Sequence, residues 1–157
     1  MKKNTVTRKR TIKRKIHKKK GGNSNSMDIR YGSLSVDNNI MSARNTSNQP
    51  TISLLPLKLS TLVMYDPDSS TPPAWLHYLV INISNGDISN GDIIIPYAGP
   101  SPPPGTGPHH YIFEQLAQTS PINTSIQDRS SFDINQFKQQ NNLFSRTREK
   151  KQFIVNA

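Results

Sequence analysis

Residues 66–83 read DPDSSTPPAWLHYLVINI, and residues 96–113 read PYAGPSPPPGTGPHHYIF. In each, a rigid Pro-rich loop runs directly into a strand-like segment rich in aromatic and β-branched residues. Asp66 closes the apolar run TLVMYD and precedes Pro67, which pushes its backbone into the extended region. Between Asp66 and Tyr111 lie the only Trp, five of the eight Gly and three of the four His. Strand alternation predicts that Trp75, His77, Leu79, Ile81 and Ile83 share one side. In HHYIFEQL it predicts the same of His109, Tyr111 and Phe113. Both His residues therefore belong on apolar or aromatic faces. With the Asp66 carboxylate they could line a polar pocket at the end of a sheet.

Outside this stretch, IRYGSLSV, PTISLLPLKL, DIIIPY, YIFEQLAQ and KQFIVNA read as further strands separated by turn residues. ISNGDI occurs twice in succession over residues 83–93 and gives two turn signals. One helix is signalled. Asp133 can cap it with Gln136 three residues on, Phe132 and Phe137 stand as staple partners, and Asn141 or Asn142 can end it. Mostly strand with one helix predicts a mainly β domain, with antiparallel sheets packed face to face.

The chain has 157 residues and a formal charge of +10, which allows one domain of ordinary size. The charge is unevenly placed. Residues 1–20 carry eleven Lys/Arg, from Lys2 to Lys20, and no acid; residues 21–157 carry the other nine, against all ten acids. The expected organisation is a disordered basic tail and linker over 1–26, ending in GGNSNS, and a folded domain over 27–157. Such a tail suits a nuclear address, a nucleic acid, a particle interior or an anionic surface. The domain itself is not basic enough for nucleic-acid binding over a whole face. Without Cys there is no disulfide, thiol enzyme or thiolate metal site. No apolar run is long enough to span a membrane, and the basic N-terminus lacks a signal peptide's apolar segment. An intracellular, nuclear or virion-associated location is compatible. Abundant Asn, Ile and Lys suggest an AT-rich genome, such as that of a giant DNA virus or a parasite.

Asp66 can hold one imidazole in place, and a donor-facing His can then hold an anion such as phosphate. Gly105, Thr106 and Gly107 could bring backbone N–H groups close to a ligand. Pro102, Pro103 and Pro104 would give a rigid wall, and Trp75, Tyr97 and Tyr111 an aromatic one suited to an alkyl or ammonium group. Three other readings compete. A His on an apolar face is most often a satisfied core residue; two His and an Asp could form a metal triad, although their spacing fits no local metal motif. A Ser-His-Asp hydrolase would need a nucleophile elbow, and no GxSxG exists.

The order DPDSS, PPAWLHYLVIN, YAGPSPPPGTGPHHYIF resembles the two signature regions of the phosphatidylethanolamine-binding protein (PEBP) family. That family shows DPDAP, a W-x-H strand and Y-x-G-x-x-P-P-x-G-T-G-x-H-R-Y. The resemblance covers residues 28–157 and is most specific over 62–113. It implies a large central antiparallel sheet flanked by a smaller one, with an anion pocket of Asp66, Trp75, His77, Gly99, Pro102, Pro103, His109 and Tyr111. Asp68 would fix the loop or touch the ligand. Ser70 stands where Pro closes DPDAP, and His110 replaces the usual Arg. No counterpart of the C-terminal helix of mammalian members follows, so a more open pocket is expected, as in short bacterial forms. The resemblance implies a non-enzymatic binder of phosphoryl head groups, of the phosphatidylethanolamine, phosphoethanolamine or phosphate-ester kind, with no cofactor and no metal. Its alternative is a modulator of a kinase or protease through protein contacts.

The tail generates one prediction. Full-length chain should bind a polyanion column in a steeply salt-dependent way, through counterion release. A chain starting at Met27 should pass through unretained. Equal retention of the two would refute the tail's role.

Overall fold

The computed structural model describes residues 26–143 and 146–157. The basic tail, with the domain boundary expected after it, falls almost wholly outside the described residues.

Among the described residues, nine strands form two sheets. β1 (Asp28–Tyr31) pairs with β2 (Leu34–Ser35) and β4 (Thr51–Ser53) in a three-stranded sheet of order β2-β1-β4. The six-stranded sheet contains β3 (Asn39–Ile40), β5 (Leu59–Asp66), β6 (Trp75–Ser84), β7 (Asp92–Ile95), β8 (Pro108–Ala117) and β9 (Thr147–Asn156). Its order is β3-β9-β8-β5-β6-β7, antiparallel except that β3 runs parallel to β9. The expected large sheet with a smaller one beside it is the architecture found.

Two apolar clusters cover the faces of the large sheet. Met27, Ile29, Tyr31, Met64, Tyr111 and Phe153 belong to the first, which joins the two sheets. Val63, Leu76, Leu79, Leu116, Phe132 and Phe137 belong to the second, beneath the single helix α1 (Ile134–Gln140). The helix begins as its sequence predicts. The Asp133 carboxylate accepts the N–H groups of Asn135 and Gln136 at 2.8 and 3.1 Å, and the Phe132 and Phe137 rings lie 5.8 Å apart. It ends with Asn142 in the left-handed region at φ 56°, a conformation Asn tolerates.

The predicted alternation of β6 does not hold. Met64 opposes Tyr78 but Tyr65 opposes Leu76, so His77 is an extra residue in the ladder. A second irregularity falls between Leu62↔Val80 and Ser60↔Ile83, where Asn82 takes φ 57°. A bulge puts consecutive residues on one face and reverses the pattern beyond it. Leu79 and Ile81 therefore face α1, and Ile83 faces the other sheet. The ISNGDI repeat also splits. Gly86 turns at φ +72°, whereas Gly91 is extended, and a Cβ there would meet Val80 and Ile83 side-chain carbons at 2.6 and 2.7 Å.

Under α1 lies a buried ion cluster. The Glu114 carboxylate accepts hydrogen bonds from Lys138 Nζ and Thr147 Oγ1, and Lys150 Nζ lies 3.3 Å away. Burial opposes the charged form of Glu114, but the bonds from Lys138 and Thr147 and the charges of Lys138 and Lys150 outweigh it and lower the carboxyl's pKa. Lys150 is 52% exposed and could reorient without its partner; Lys138, at 11%, could not. Glu114→Gln should therefore cost about 3–5 kcal/mol at neutral pH, because it strands a buried charge. A lowered carboxyl pKa stabilises above the unfolded value of about 4.3, and that contribution is lost as pH falls through the folded one. Urea unfolding should show the gap between wild type and variant steady from pH 7 to about 5 and narrowing below about 4.3.

Candidate functional site

At the end of the large sheet where β5 finishes and β8 begins, a cavity of about 360 Å³ opens to the surface. Asp66, Trp75, His77, Gly99, Pro102, Pro103, His109 and Tyr111 all line it. So do residues that sequence reasoning passed over: Ser69, Ser70, Thr71, Ala98 and Ser101. Four of those five bring a hydroxyl, and the signal for them was only their position beside Pro in the two loops.

Asp66 ends β5, and its neighbour in space is the second residue of β8. Asp66 Oδ2 lies 2.7 Å from His109 Nδ1, with both side chains buried. Asp66 Oδ1 accepts the Asp68 N–H at 2.8 Å, which starts the turn into the Pro-rich loop. Asp68 in turn accepts both the backbone N–H and the Nδ1 of His110, at 2.8 and 2.7 Å. Asp68 is thus a loop fastener, and the His that stands in place of Arg holds it by two hydrogen bonds. Burial pushes the Asp68 carboxyl up, and the bonds and charge of His110 more than reverse this.

His109 Nε2 is also occupied, 2.8 Å from Thr106 Oγ1, and that hydroxyl donates to the Pro103 carbonyl at 2.7 Å. Asp66, His109 and Thr106 follow the order of a hydrolase triad. The proton direction is wrong for one, because the Thr106 hydroxyl hydrogen goes to Pro103 and not to the imidazole. Thr106 is also not among the residues that line the cavity. Nor do Gly105 and Gly107 reach it: the Thr106 N–H turns back to Pro103, and the Gly107 carbonyl accepts from Ala157. These three residues therefore lie outside the cavity lining, and of them Thr106 supports His109.

His77 is placed differently. Its Nδ1 lies 2.7 Å from the Ala98 carbonyl, which fixes Nδ1 as the donor and leaves Nε2 with no partner among the described residues. The ring meets Tyr111 edge-on at 5.1 Å. The bulge that turns His77 inward is braced from behind. The Ala98 N–H bonds the His77 carbonyl at 2.9 Å. Arg129 Nη1 bonds the Leu76 and His77 carbonyls at 3.1 and 3.0 Å, and Nη2 the Pro96 carbonyl at 2.8 Å. Arg129 lies far away in sequence, at the head of the RSSFD stretch that forms a weaker flank of the family resemblance, and nothing there signalled its role at β6. Tyr97 was expected in the pocket wall but lies behind it, bonding Tyr31 and the Thr46 carbonyl at 2.8 and 2.6 Å. Gly99 lets that wall close: a Cβ there would stand 2.8 Å from Ser47 Cα.

Among the described residues, no Lys or Arg side chain lines the cavity. Among the described residues, no group of three or more His, Cys, Asp and Glu is placed to hold a metal ion. Burial favours the neutral imidazole and lowers the His77 pKa; the Ala98 carbonyl and Asp66 oppose this, while Arg129 and His109 add to it.

The family model of phosphatidylethanolamine-binding protein matches residues 3–152, and the chain belongs to that family. Solved structures share the fold. A carboxypeptidase Y inhibitor, seen in complex with its cognate proteinase, has a TM-score of 0.71 and 21% identity over 82% of this chain and 81% of its own. Phosphatidylethanolamine-binding protein from Plasmodium vivax gives 0.65 and 22% over 82% and 83%. The E. coli protein YbcL, a member of the mammalian PEBP family, gives 0.53 and 16% over 83% and 97%. These likenesses support neither a viral source nor a closer kinship with the short bacterial form.

The lowered His77 pKa gives a prediction for the ligand-free protein. The unfolded chain takes its proton first as pH falls through about 6.5. Stability from a neutral His77 is therefore complete above that pH, declines below it, and levels off once the folded value is passed. Thermal unfolding of wild type against His77→Gln should diverge across this window; parallel curves would mean that His77 titrates freely in the fold.

Proposed function

We propose that this chain binds a phosphoryl head group, free or on a phospholipid, in the cavity at the end of the large sheet, and does so without chemical change. The observation that carries this is the unspent Nε2 of His77, facing a wall of Pro102 and Pro103 beside the fixed Asp66–His109 pair. Serine and threonine hydroxyls around the rim supply further donors for phosphate oxygens. Trp75 and Tyr111 offer apolar surface to the ester carbon. The ligand contacts are Asp66, Trp75, His77, Gly99, Pro102, Pro103, His109 and Tyr111, with Asp66 and His109 acting as the frame.

The proton balance follows from the absence of Lys and Arg in the wall. A neutral His77 with Nδ1 bound to Ala98 presents a lone pair at Nε2, which repels a phosphate oxygen. One shared proton removes the conflict, either on the imidazole or on the phosphate, whose second pKa is about 6. Above that pH, binding should therefore take up a proton, and affinity should fall as pH rises from about 6 to 8. Calorimetry with phosphoethanolamine in two buffers of different ionisation heat measures the uptake. His77→Ala should abolish it and weaken binding by about 1.5–3 kcal/mol, the worth of a charge-assisted hydrogen bond. Asp66→Ala should also weaken binding, although it removes a negative charge, because His109 and the loop lose their frame. Unchanged affinity in His77→Ala would overturn the reading. Phosphatidylethanolamine vesicles set against free phosphoethanolamine separate a lipid source from a soluble one.

The likeness in fold to the carboxypeptidase Y inhibitor supports a second reading, inhibition of a proteinase by protein contact. Titrating a serine carboxypeptidase with the full chain tests it. Inhibition that survives His77→Ala would separate it from head-group binding.

A further inference from the structure

β9 has a side that nothing described covers. β8 pairs along its length on one side, from Pro108↔Asn156 to Leu116↔Thr147. On the other side β3 meets only Phe153 and Ile154. The Asn38 and Met41 N–H groups bond the Gln152 and Ile154 carbonyls there, both at 2.8 Å. Alternate residues of a strand send their backbone groups to the same side. Lys150, two residues before Gln152, therefore turns its N–H and C=O outward, and no described residue meets them. From Thr147 to Lys151 no described residue pairs with this side of β9, and Arg148 is an extra residue in its ladder with β8, so the alternation that turns the Lys150 groups outward stops there. Beside it, where β3 stops, Asp37, Asn38, Lys150, Lys151 and Gln152 line a depression of about 430 Å³. The head-group cavity is at the other end of β9, where His109 opposes Val155.

The side chains of this edge are mostly basic. Arg146, Arg148, Lys150 and Lys151 stand against Glu149 and Asp37, with Lys150 Nζ also 3.3 Å from the buried Glu114. Glu149 is already engaged by Lys151 Nζ at 4.0 Å and by the Met27 N–H. Arg148 is exposed and makes no ion pair with a described residue. Like charge on an open edge discourages pairing with another copy of itself. The chain's first twenty residues, with eleven Lys/Arg and no acid, also have the wrong sign to fill it. An extended acidic segment has the right sign, and its backbone would complete the open ladder.

We propose that the Thr147–Lys151 edge of β9 is a strand-addition site for an extended acidic segment of a partner protein. It is independent of the head-group site. The test uses full-length protein and two labelled peptides of equal charge, one alternating Glu and Val, the other with Pro at alternate Val positions so that it cannot pair as a strand. The basic tail is present with both, so its attraction cancels in the comparison. At physiological salt the strand-competent peptide should bind about tenfold more tightly, the worth of two or so backbone hydrogen bonds. Its addition should slow amide hydrogen exchange at Lys150. Arg148→Glu, at an exposed position that leaves the fold intact by circular dichroism, should weaken it about fivefold or more by setting like charges together. Lys150→Pro should remove the preference between peptides by deleting the outward N–H. Equal binding of the two peptides, an unchanged Arg148→Glu, or peptide-free self-association of the chain through this edge would each overturn the proposal.

Discussion

The contact between Asp66 and His109 is what the rest of the site depends on. It joins the last residue of β5 to the start of β8, two neighbouring strands in the middle of the large sheet. Both groups are buried, so each needs the other: an unpartnered carboxylate or imidazole here would carry the full cost of desolvation. The other carboxylate oxygen holds the Asp68 N–H, and the other ring nitrogen holds Thr106. One buried pair therefore fixes both Pro-rich loops. It does so at the strand ends, where the ladder hydrogen bonds stop and side chains must take over.

A second device places the His77 ring in the cavity wall. A regular β6 would leave His77 in step with Leu79 and Ile81, under α1. The extra residue at His77 breaks that step and brings the ring against Tyr111 instead. Bulges leave carbonyls unpaired, and here Ala98 and Arg129 meet them. The guanidinium suits the task because its planar fork can hold three carbonyls from two segments at once. Its charge is spent on backbone behind the wall and not on a ligand in front of it. Arg129 is thus a positioning residue, acting on the site through the shape of β6.

How much of this could be read in the sequence follows from how local each cause is. The strands, the Asp133 cap and the Phe132–Phe137 staple rest on neighbours in the chain, and they were legible. A pocket around Asp66, His77 and His109 could be suspected from the residues, but only the resemblance of two motifs singled out all eight, because the residues alone favoured a core histidine and left a metal triad as a minor alternative. The bulge at His77 was not legible. Alternation assumes an unbroken ladder, and nothing within AWLHYLV announces the break, whose supports lie at Ala98 and Arg129. Tyr97 was misplaced for a related reason: the groups that hold its ring, Tyr31 and the Thr46 carbonyl, lie far away in the chain. The two copies of ISNGDI show the limit most directly, since six identical residues adopt two conformations under different packing.

Charge distribution separates attraction from recognition in this chain. The domain's basic groups are few and mostly committed: Arg129 to carbonyls, Lys138 and Lys150 to Glu114, with Arg146 and Arg148 at the β9 edge away from the cavity. A cavity lined by Lys or Arg would take up any anion at any physiological pH, because those side chains stay charged. A cavity lined by imidazole and hydroxyl groups binds an anion only when a proton comes with it and the donors fit its oxygens. The eleven cations of the first twenty residues bring the opposite property, long-range attraction without geometric discrimination. Separating the two would let the tail's charge act on an anionic surface while leaving the selectivity of the proposed anion cavity untouched.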